Sequence, residues 1–330
     1  MPDRREAAER GAFATSPAEF GWKAWRDILG RVWTNSGRHS IGFLASGVAF
    51  YGFLSFVPAL ALLVMVYGMV AEPTTLFARM VAIIRLVPAQ SAELINEQLA
   101  NLIRTAAVTK GLALVPAVVI ALYGASGAAS GMITSLNMVY EQEERRGIVR
   151  LFLVALGLVC ATILLGILGL VAASALGLLQ TMLGGLGPVA DTLLRVLTWL
   201  LTTALVSAII AAMYRYGPCR HRAKWRWLTL GSLAATLLWL LGSVLFGWYA
   251  GFADYGRTYG SLGAVVALLM WFFVSAYAVL LGAFVDAEAE RQTARDSTTG
   301  PDRPLGRRGA VVADSSEAID ASKAAPQSET

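Results

Sequence analysis

Leu151-Phe152-Leu153-Val154-Ala155-Leu156-Gly157-Leu158-Val159-Cys160 opens a run that carries no charged side chain until after Ala190. About 20 apolar residues, rising ~1.5 Å each, cross a hydrocarbon core of roughly 30 Å, so this run alone exceeds one membrane-spanning helix. Its surplus is broken by Gly184-Gly185-Leu186-Gly187-Pro188, a turn-forming sequence that ends one span and leaves a short connection to Arg195. Working outward, further charge-free runs extend over Ser40 to Ala71, Gly111 to Tyr140, Val196 to Tyr214, Trp227 to Ala253 and Thr258 to Val285. Ala59-Leu60-Ala61-Leu62-Leu63-Val64-Met65-Val66 does not alternate apolar with polar residues, which excludes a transmembrane barrel. The expected fold is an all-α polytopic membrane protein with six transmembrane helices, over about 44–70, 113–138, 151–180, 194–214, 228–252 and 259–285. Composition agrees, since 56% of the 330 residues are hydrophobic and 15% charged, against about a quarter charged in a soluble domain.

The basic residues give the orientation. The segments before span one, between spans two and three, between four and five, and after six hold 21 Lys and Arg; the intervening segments hold 6. The positive-inside rule then places both termini of a multi-pass membrane protein in the cytoplasm. The first 40 residues mix seven basic with five acidic side chains and lack the apolar core of a cleavable signal, so span one is expected to act as its own insertion signal. The net charge of +5 is thereby a matter of topology rather than of nucleic-acid binding. Cys160 and Cys219 form no Cys-x-x-Cys, and His39 and His221 no His-Glu-x-x-His, so neither a metal nor a cofactor is expected.

Three regions lie outside the spans. In the N-terminal segment, 1–40, Trp22, Trp25, Leu29, Val32 and Trp33 recur at helical spacing with Lys23, Arg26, Asp27 and Arg31 between them. Such a helix either lies in the membrane interface or packs on the ends of the spans. The first outer loop carries two apolar stripes, Phe77-Met80-Val81-Ile84-Val87 before Pro88 and Ile95-Leu99-Leu102-Ile103 after Ser91. They read as an amphipathic helical hairpin that rests on the bundle or moves as a lid. Between these flanks the transmembrane domain occupies 41–290. From 291 to 330 the sequence turns to Ser, Thr, Asp, Arg, Pro and Ala, a composition expected to stay disordered in the cytoplasm.

Polar residues within the spans suggest a shared crevice. Span one carries Tyr51, Ser55 and Pro58; the proline leaves the Leu54 carbonyl without its helical partner, which implies a simple kink or a hydrated pocket. Span two pairs small residues four apart, Gly124 with Ala128 and Gly127 with Gly131, a pattern that lets a neighbouring helix approach closely. Asn137 follows, and its amide must be satisfied away from lipid. With Tyr259 in span six, these residues, Tyr51, Ser55, Pro58 and Asn137, are expected to face one polar crevice. The fourth loop sets Arg215, Arg220, Arg222, Lys224 and Arg226 among aromatics with no acid. Between two spans this favours a collar for anionic phospholipid headgroups over an RNA site. Glu141, Glu143 and Glu144, beside Arg145, Arg146 and Arg150, read as a solvated helix end rather than as acid/base chemistry.

Taken in order, Ala49-Phe50-Tyr51 with Pro58, Leu136-Asn137-x-x-Tyr140, Tyr214-Arg215-x-x-Pro218, Tyr259-Gly260-Ser261-Leu262-Gly263 and Leu281-Gly282-Ala283 resemble the YihY/BrkB family of bacterial inner-membrane proteins, once labelled ribonuclease BN. The resemblance covers about residues 25 to 290. It departs after Leu281-Gly282-Ala283, where family members often carry an acid and this chain has Phe284, with Asp286 and Glu288 beyond. The resemblance implies a protein of the cell envelope that handles or transports a lipid or other amphipathic molecule. Because the spans embed no Asp, Glu, Lys or Arg, ion coupling is not expected. A non-catalytic scaffold and a membrane-bound ribonuclease are the alternatives; no enzymatic activity is expected, and the expected partners are membrane lipids, not nucleic acid.

Overall fold

The computed structural model describes residues 4–70, 114–183, 188–253 and 262–324, with a few positions between 92 and 101. The expected outer hairpin falls largely outside the described residues, and so does Tyr259. The protein is all-α. A short helix α1 (Arg4–Glu9) and an amphipathic helix α2 (Trp22–Arg38) precede six long helices: α3 (Ile41–Val70), α4 (Leu114–Val139), α5 (Ile148–Leu183), α6 (Pro188–Tyr216), α7 (Trp225–Ala253) and α8 (Gly263–Gln292). Each of the six is long and apolar enough to cross a membrane. A last helix, α9 (Glu317–Ala324), lies in the tail.

The six helices pack in sequence order, each on the next, and α8 returns to α3, which closes them into a ring. The even number of spans brings both chain ends to one end of the ring, the terminal face, where α1 touches α9. Glycine sets the closest approaches. Along α3, Tyr51, Ser55 and Pro58 lie one or two helical turns apart, and they seat on Gly131, Gly127 and Gly124 of α4. A methyl group at Gly124 would lie 2.8 Å from the Pro58 ring, and one at Gly131 would lie 3.2 Å from Tyr51. Ser55 Oγ also accepts a hydrogen bond from the Ala128 amide at 3.0 Å. Between α7 and α8, Trp239 Nε1 donates to Ser275 at 3.0 Å and Trp271 Nε1 donates to Ser243 at 3.3 Å, so both indoles are satisfied across the helix pair.

The tail departs from expectation. Residues 293–324, expected to be disordered, fold back across the terminal face. Ala223 and Thr298 form a β-bridge, the His221 amide donates to Gly309 O at 2.9 Å, and the Lys224 amide donates to Ser297 O at 2.8 Å. The Arg308 side chain, almost fully buried, donates to the carbonyls of Arg295, Arg303 and Ala313 at 3.1, 3.1 and 2.6 Å. Composition misjudged this segment because little of its order comes from apolar burial. It is held by backbone pairing and by a guanidinium whose donors end on carbonyls, which satisfies a buried charge.

Candidate functional site at the terminal face

Three of the sequence-matched motifs, Leu136-Asn137-x-x-Tyr140, Tyr214-Arg215-x-x-Pro218 and Leu281-Gly282-Ala283, lie toward the terminal face, at the ends of α4, α6 and α8. Helix α4 stops because Glu141 adopts a left-handed conformation, φ +52°, after which the Gln142 and Glu141 amides close back on the Asn137 and Met138 carbonyls. Glycine would hold that position more cheaply. Glutamate there places a carboxylate 2.7 Å from Arg291 of α8.

Asn137, just inside that stop, is buried and uses both ends of its amide. Nδ2 donates to Glu144 at 2.8 Å, and Oδ1 accepts from the Cys219 amide at 2.7 Å. Arg146 completes a closed circuit by donating to Glu144 at 2.6 and 2.7 Å and to the Gly217 carbonyl at 2.8 Å. The hydrogen bonds from Arg146, together with that from Asn137, hold the Glu144 carboxyl down at about 2. The circuit joins the end of α4, the second loop and the fourth loop.

Beside it lies a buried ion pair. Arg220 of the fourth loop meets Glu290 of α8 through two hydrogen bonds of 3.0 and 2.8 Å, and both side chains are 0% exposed. Its guanidinium rests 4.1 Å above the centre of the buried Tyr140 ring. Ser297 of the tail donates to Glu290 at 2.9 Å, so the folded-back tail seals the pair. Nearby, Gly231 of α7 crosses Gly282 of α8 with backbones nearly touching, and the Gly231 amide donates to buried Asp286 at 2.7 Å. Gly282 of the Leu281-Gly282-Ala283 motif is thus a packing requirement. Phe284, directly after that motif, is buried with its ring 5.7 Å from that of His39.

The outer flank of α2 forms a cleft of about 700 Å³, lined by arginines of α2 together with residues from α8, the Glu141 turn and α9. Helix α2 shows three faces. Ala24, Ile28, Val32 and Ser36 are buried, α2 packs on α8, and Arg31 donates to Glu288 at 2.8 Å. Trp22, Leu29 and Trp33 point outward, with the tryptophans 80% and 83% exposed. The third face lines the cleft.

The expected groupings are rearranged. Tyr51, Ser55 and Pro58 form the α3–α4 seam, with Tyr51 half exposed at its edge, while Asn137 belongs to the circuit at the terminal face, so the described members do not line one crevice. The five cations of the fourth loop do not form one collar either. Arg220 is in the buried pair, Arg215 donates to the Ala223 carbonyl and lies 4.7 Å over the Trp225 ring, and Lys224 donates to the Asp296 carbonyl at 2.8 Å. Arg222 and Arg226 stay exposed. Glu290, the acid that draws Arg220 inward, lay beyond the expected spans and was given no role from sequence. Asp286, Glu288 and Glu290 sit in the last turns of α8, where the helix dipole opposes negative charge, and that local misfit is a readable sign that cations must meet them. Among the described residues, no cluster of His, Cys, Asp and Glu is arranged to hold a metal ion.

The chain is 29% identical to the putative ribonuclease-like protein YfkH of Bacillus subtilis over 174 residues, 52% of this chain and 63% of that protein. It is 38% identical to a UPF0761 membrane protein of Xanthomonas campestris over 87 residues, 26% of this chain and 20% of that one. A UPF0761 membrane protein of Glaesserella parasuis is 30% identical over 159 residues, 46% of this chain and 53% of the relative. The chain thus spans less than two thirds of the length of these relatives. No solved structure matches it. The virulence factor BrkB model matches residues 32–305, a stretch that holds all six long helices, the circuit and the buried pair, and the chain therefore belongs to the virulence factor BrkB family.

Proposed function

We propose that this membrane protein handles or transports a lipid or other amphipathic molecule without ion coupling, in the bacterial inner membrane and with both termini cytoplasmic. Helix α2 is the observation that carries the reading. Its exposed Trp22, Leu29 and Trp33 suit the headgroup region of a bilayer, and its neighbouring face opens onto an arginine-lined cleft, so polar and apolar parts of one molecule find adjacent surfaces. The charge-free runs within the spans, with Asp286, Glu288 and Glu290 confined to the last turns of α8, support the absence of ion coupling. The reading includes no catalytic step. Glu141 and Glu144 are engaged by Arg291 and Arg146, and Glu143 lies 3.4 Å from Arg145, so the acidic run serves as a set of helix-end contacts.

The test is reconstitution of the full chain into vesicles carrying a labelled phospholipid, with and without an imposed proton or sodium gradient. Lipid exchange or retention above empty vesicles, unchanged by the gradient, is the expected result. Equal behaviour of loaded and empty vesicles would overturn the reading, and gradient-dependent exchange would overturn its uncoupled form.

A further inference from the structure

The cleft beside α2 is more specific than an interfacial helix requires. Its lining carries five arginines, Arg10, Arg26, Arg31, Arg38 and Arg291, against three carboxylates, and no lysine. Two carboxylates are already matched. Asp27 accepts from Arg10 at 3.0 Å, and Glu141 lies 2.7 Å from Arg291 and 3.8 Å from His39. The third, Glu317, sits in the first turn of α9, where a helix favours negative charge. Glu288 behind the lining and Gln292 within it fix the Arg31 guanidinium. Arg38 makes no ion pair among the described residues, and Arg26, with a side chain 71% exposed, only approaches Asp27 at 4.0 Å. The wall therefore combines guanidiniums already oriented by acids with two that remain uncommitted.

We propose that this cleft binds a phosphate-bearing anion, with Arg26 or Arg38, which stand about 18 Å apart along α2, supplying the uncommitted guanidinium that closes on the phosphate beside the arginines already oriented. A carboxylate has two oxygens and is satisfied by a single guanidinium fork; phosphate presents more acceptors and suits several arginines at once. The volume of about 700 Å³ exceeds a bare phosphate and leaves room for the molecule that bears it. Gly30 lies in the same wall, and a methyl group built there meets nothing within 4 Å, so that part of the cleft is open to an occupant. If the phosphate belongs to a lipid headgroup, the inference rests on the lipid-handling reading above; if it belongs to a soluble molecule, it stands apart from it.

The experiment uses the full chain in neutral detergent, with two probes: inorganic pyrophosphate titrated calorimetrically, and phosphatidylglycerol retained from mixed micelles with phosphatidylcholine. Three variants are compared with the parent after their melting temperatures are shown to match. Arg26→Gln with Arg38→Gln removes the uncommitted cations. Gly30→Phe fills the cleft without changing charge, at a helical position where replacing glycine does not weaken the helix. Arg222→Gln with Arg226→Gln is the control for diffuse attraction. Through lost charge-assisted hydrogen bonds in the first and lost space in the second, both cleft variants should weaken at least one probe by about tenfold or more, with the control unchanged.

An effect on pyrophosphate alone identifies a soluble phosphate and removes α2 as support for lipid handling. An effect on phosphatidylglycerol alone identifies a headgroup. If neither probe binds the parent, or the cleft variants bind both as the parent does, the proposal is overturned. Phosphatidylglycerol retained equally by parent and cleft variants, with pyrophosphate binding also unchanged, would overturn the cleft while leaving lipid handling to another surface.

Discussion

Gly124, Gly127 and Gly131 hold α4 against α3 by leaving room for Tyr51, Ser55 and Pro58, whereas Arg220 and Glu290 hold the fourth loop against α8 through charge withdrawn from solvent. The first seam is made of contacts that any apolar solvent tolerates. The second needs every polar atom placed, because a buried ion without its partner is strongly unfavourable. The difference extends through the molecule. In the spans of α5 and α6 only 17% and 11% of the stretch is buried within the protein, against 28–33% in the other four, while the terminal face encloses ions, a polar circuit and the anchored tail. Precision of structure is concentrated at one end of the ring.

The largest expected effect tests that claim. Arg220→Met leaves Glu290 buried without its cation, and removal of one member of a buried pair typically costs about 3–5 kcal/mol. Thermal or denaturant unfolding in detergent should show a loss of that order. Changing both residues, Arg220→Met with Glu290→Leu, should recover most of it, since the penalty belongs to the unpaired charge. If the single variant melts like the parent, the terminal face is not the rigid region described above.

Next come the glycines. At Gly282 a methyl group would lie 2.5 Å from both Ala235 Cβ and the Gly231 carbonyl, and the latter is backbone that cannot rotate away. At Gly124 it would lie 2.8 Å from Pro58, on a helix that can shift slightly. Overpacking of this kind costs about 1–3 kcal/mol, and Gly282→Ala should fall at the upper end with Gly124→Ala below it. Gly42→Ala, with nothing within 4 Å, should be neutral or stabilising. Equal losses at Gly282 and Gly124 would show that the two ends of the ring are packed alike.

These residues also mark what could be read from sequence. The spans were legible because hydrocarbon requires long uncharged helices, and six helices long and apolar enough to cross a membrane are present. The small-residue seam was legible from its spacing alone. The terminal face was not, because its logic lies between segments far apart in sequence. Arg220 and Glu290 are 70 residues apart, and Arg31 and Glu288 are 257 apart. A run of cations without local acids looked like a lipid collar because its acids arrive from α8. A tail poor in apolar residues looked disordered because the loop that donates to its backbone carbonyls is about 70 or more residues away in the chain.

A smaller effect should appear in acid. The Glu144 carboxyl titrates at about 2 in the folded protein, below its usual 4.5, because Arg146 and Asn137 favour the charged form. A depressed carboxylate stabilises the fold fully above the unfolded value, and that contribution is lost as pH falls through 4.5 toward 2. The melting temperature of Glu144→Gln should therefore lie below that of the parent at neutral pH, and the gap should close as pH falls over this interval. A gap independent of pH would mean that the Asn137 circuit depends on shape rather than on the charge of Glu144.

The smallest effects should come from the fourth-loop cations left outside the buried network. Arg222 lies 5.0 Å over the exposed Tyr216 ring, a contact worth about 0.5–1 kcal/mol at such a site, and Arg226 is exposed. Arg222→Ala should therefore cost no more than about 1 kcal/mol and Arg226→Ala should stay within about 0.5 kcal/mol, as for ordinary surface positions. Arg220→Met, in the same short loop, should exceed both several-fold. That gradient across a few residues is the sharpest form of the comparison, because charge and distance along the chain are nearly constant while burial changes completely. Measured side by side, a steep gradient assigns Arg220 to the fold and leaves Arg222 and Arg226 as orientation signals. A flat one would mean that Arg220 reaches solvent and that its pairing with Glu290 carries no more weight than a surface contact.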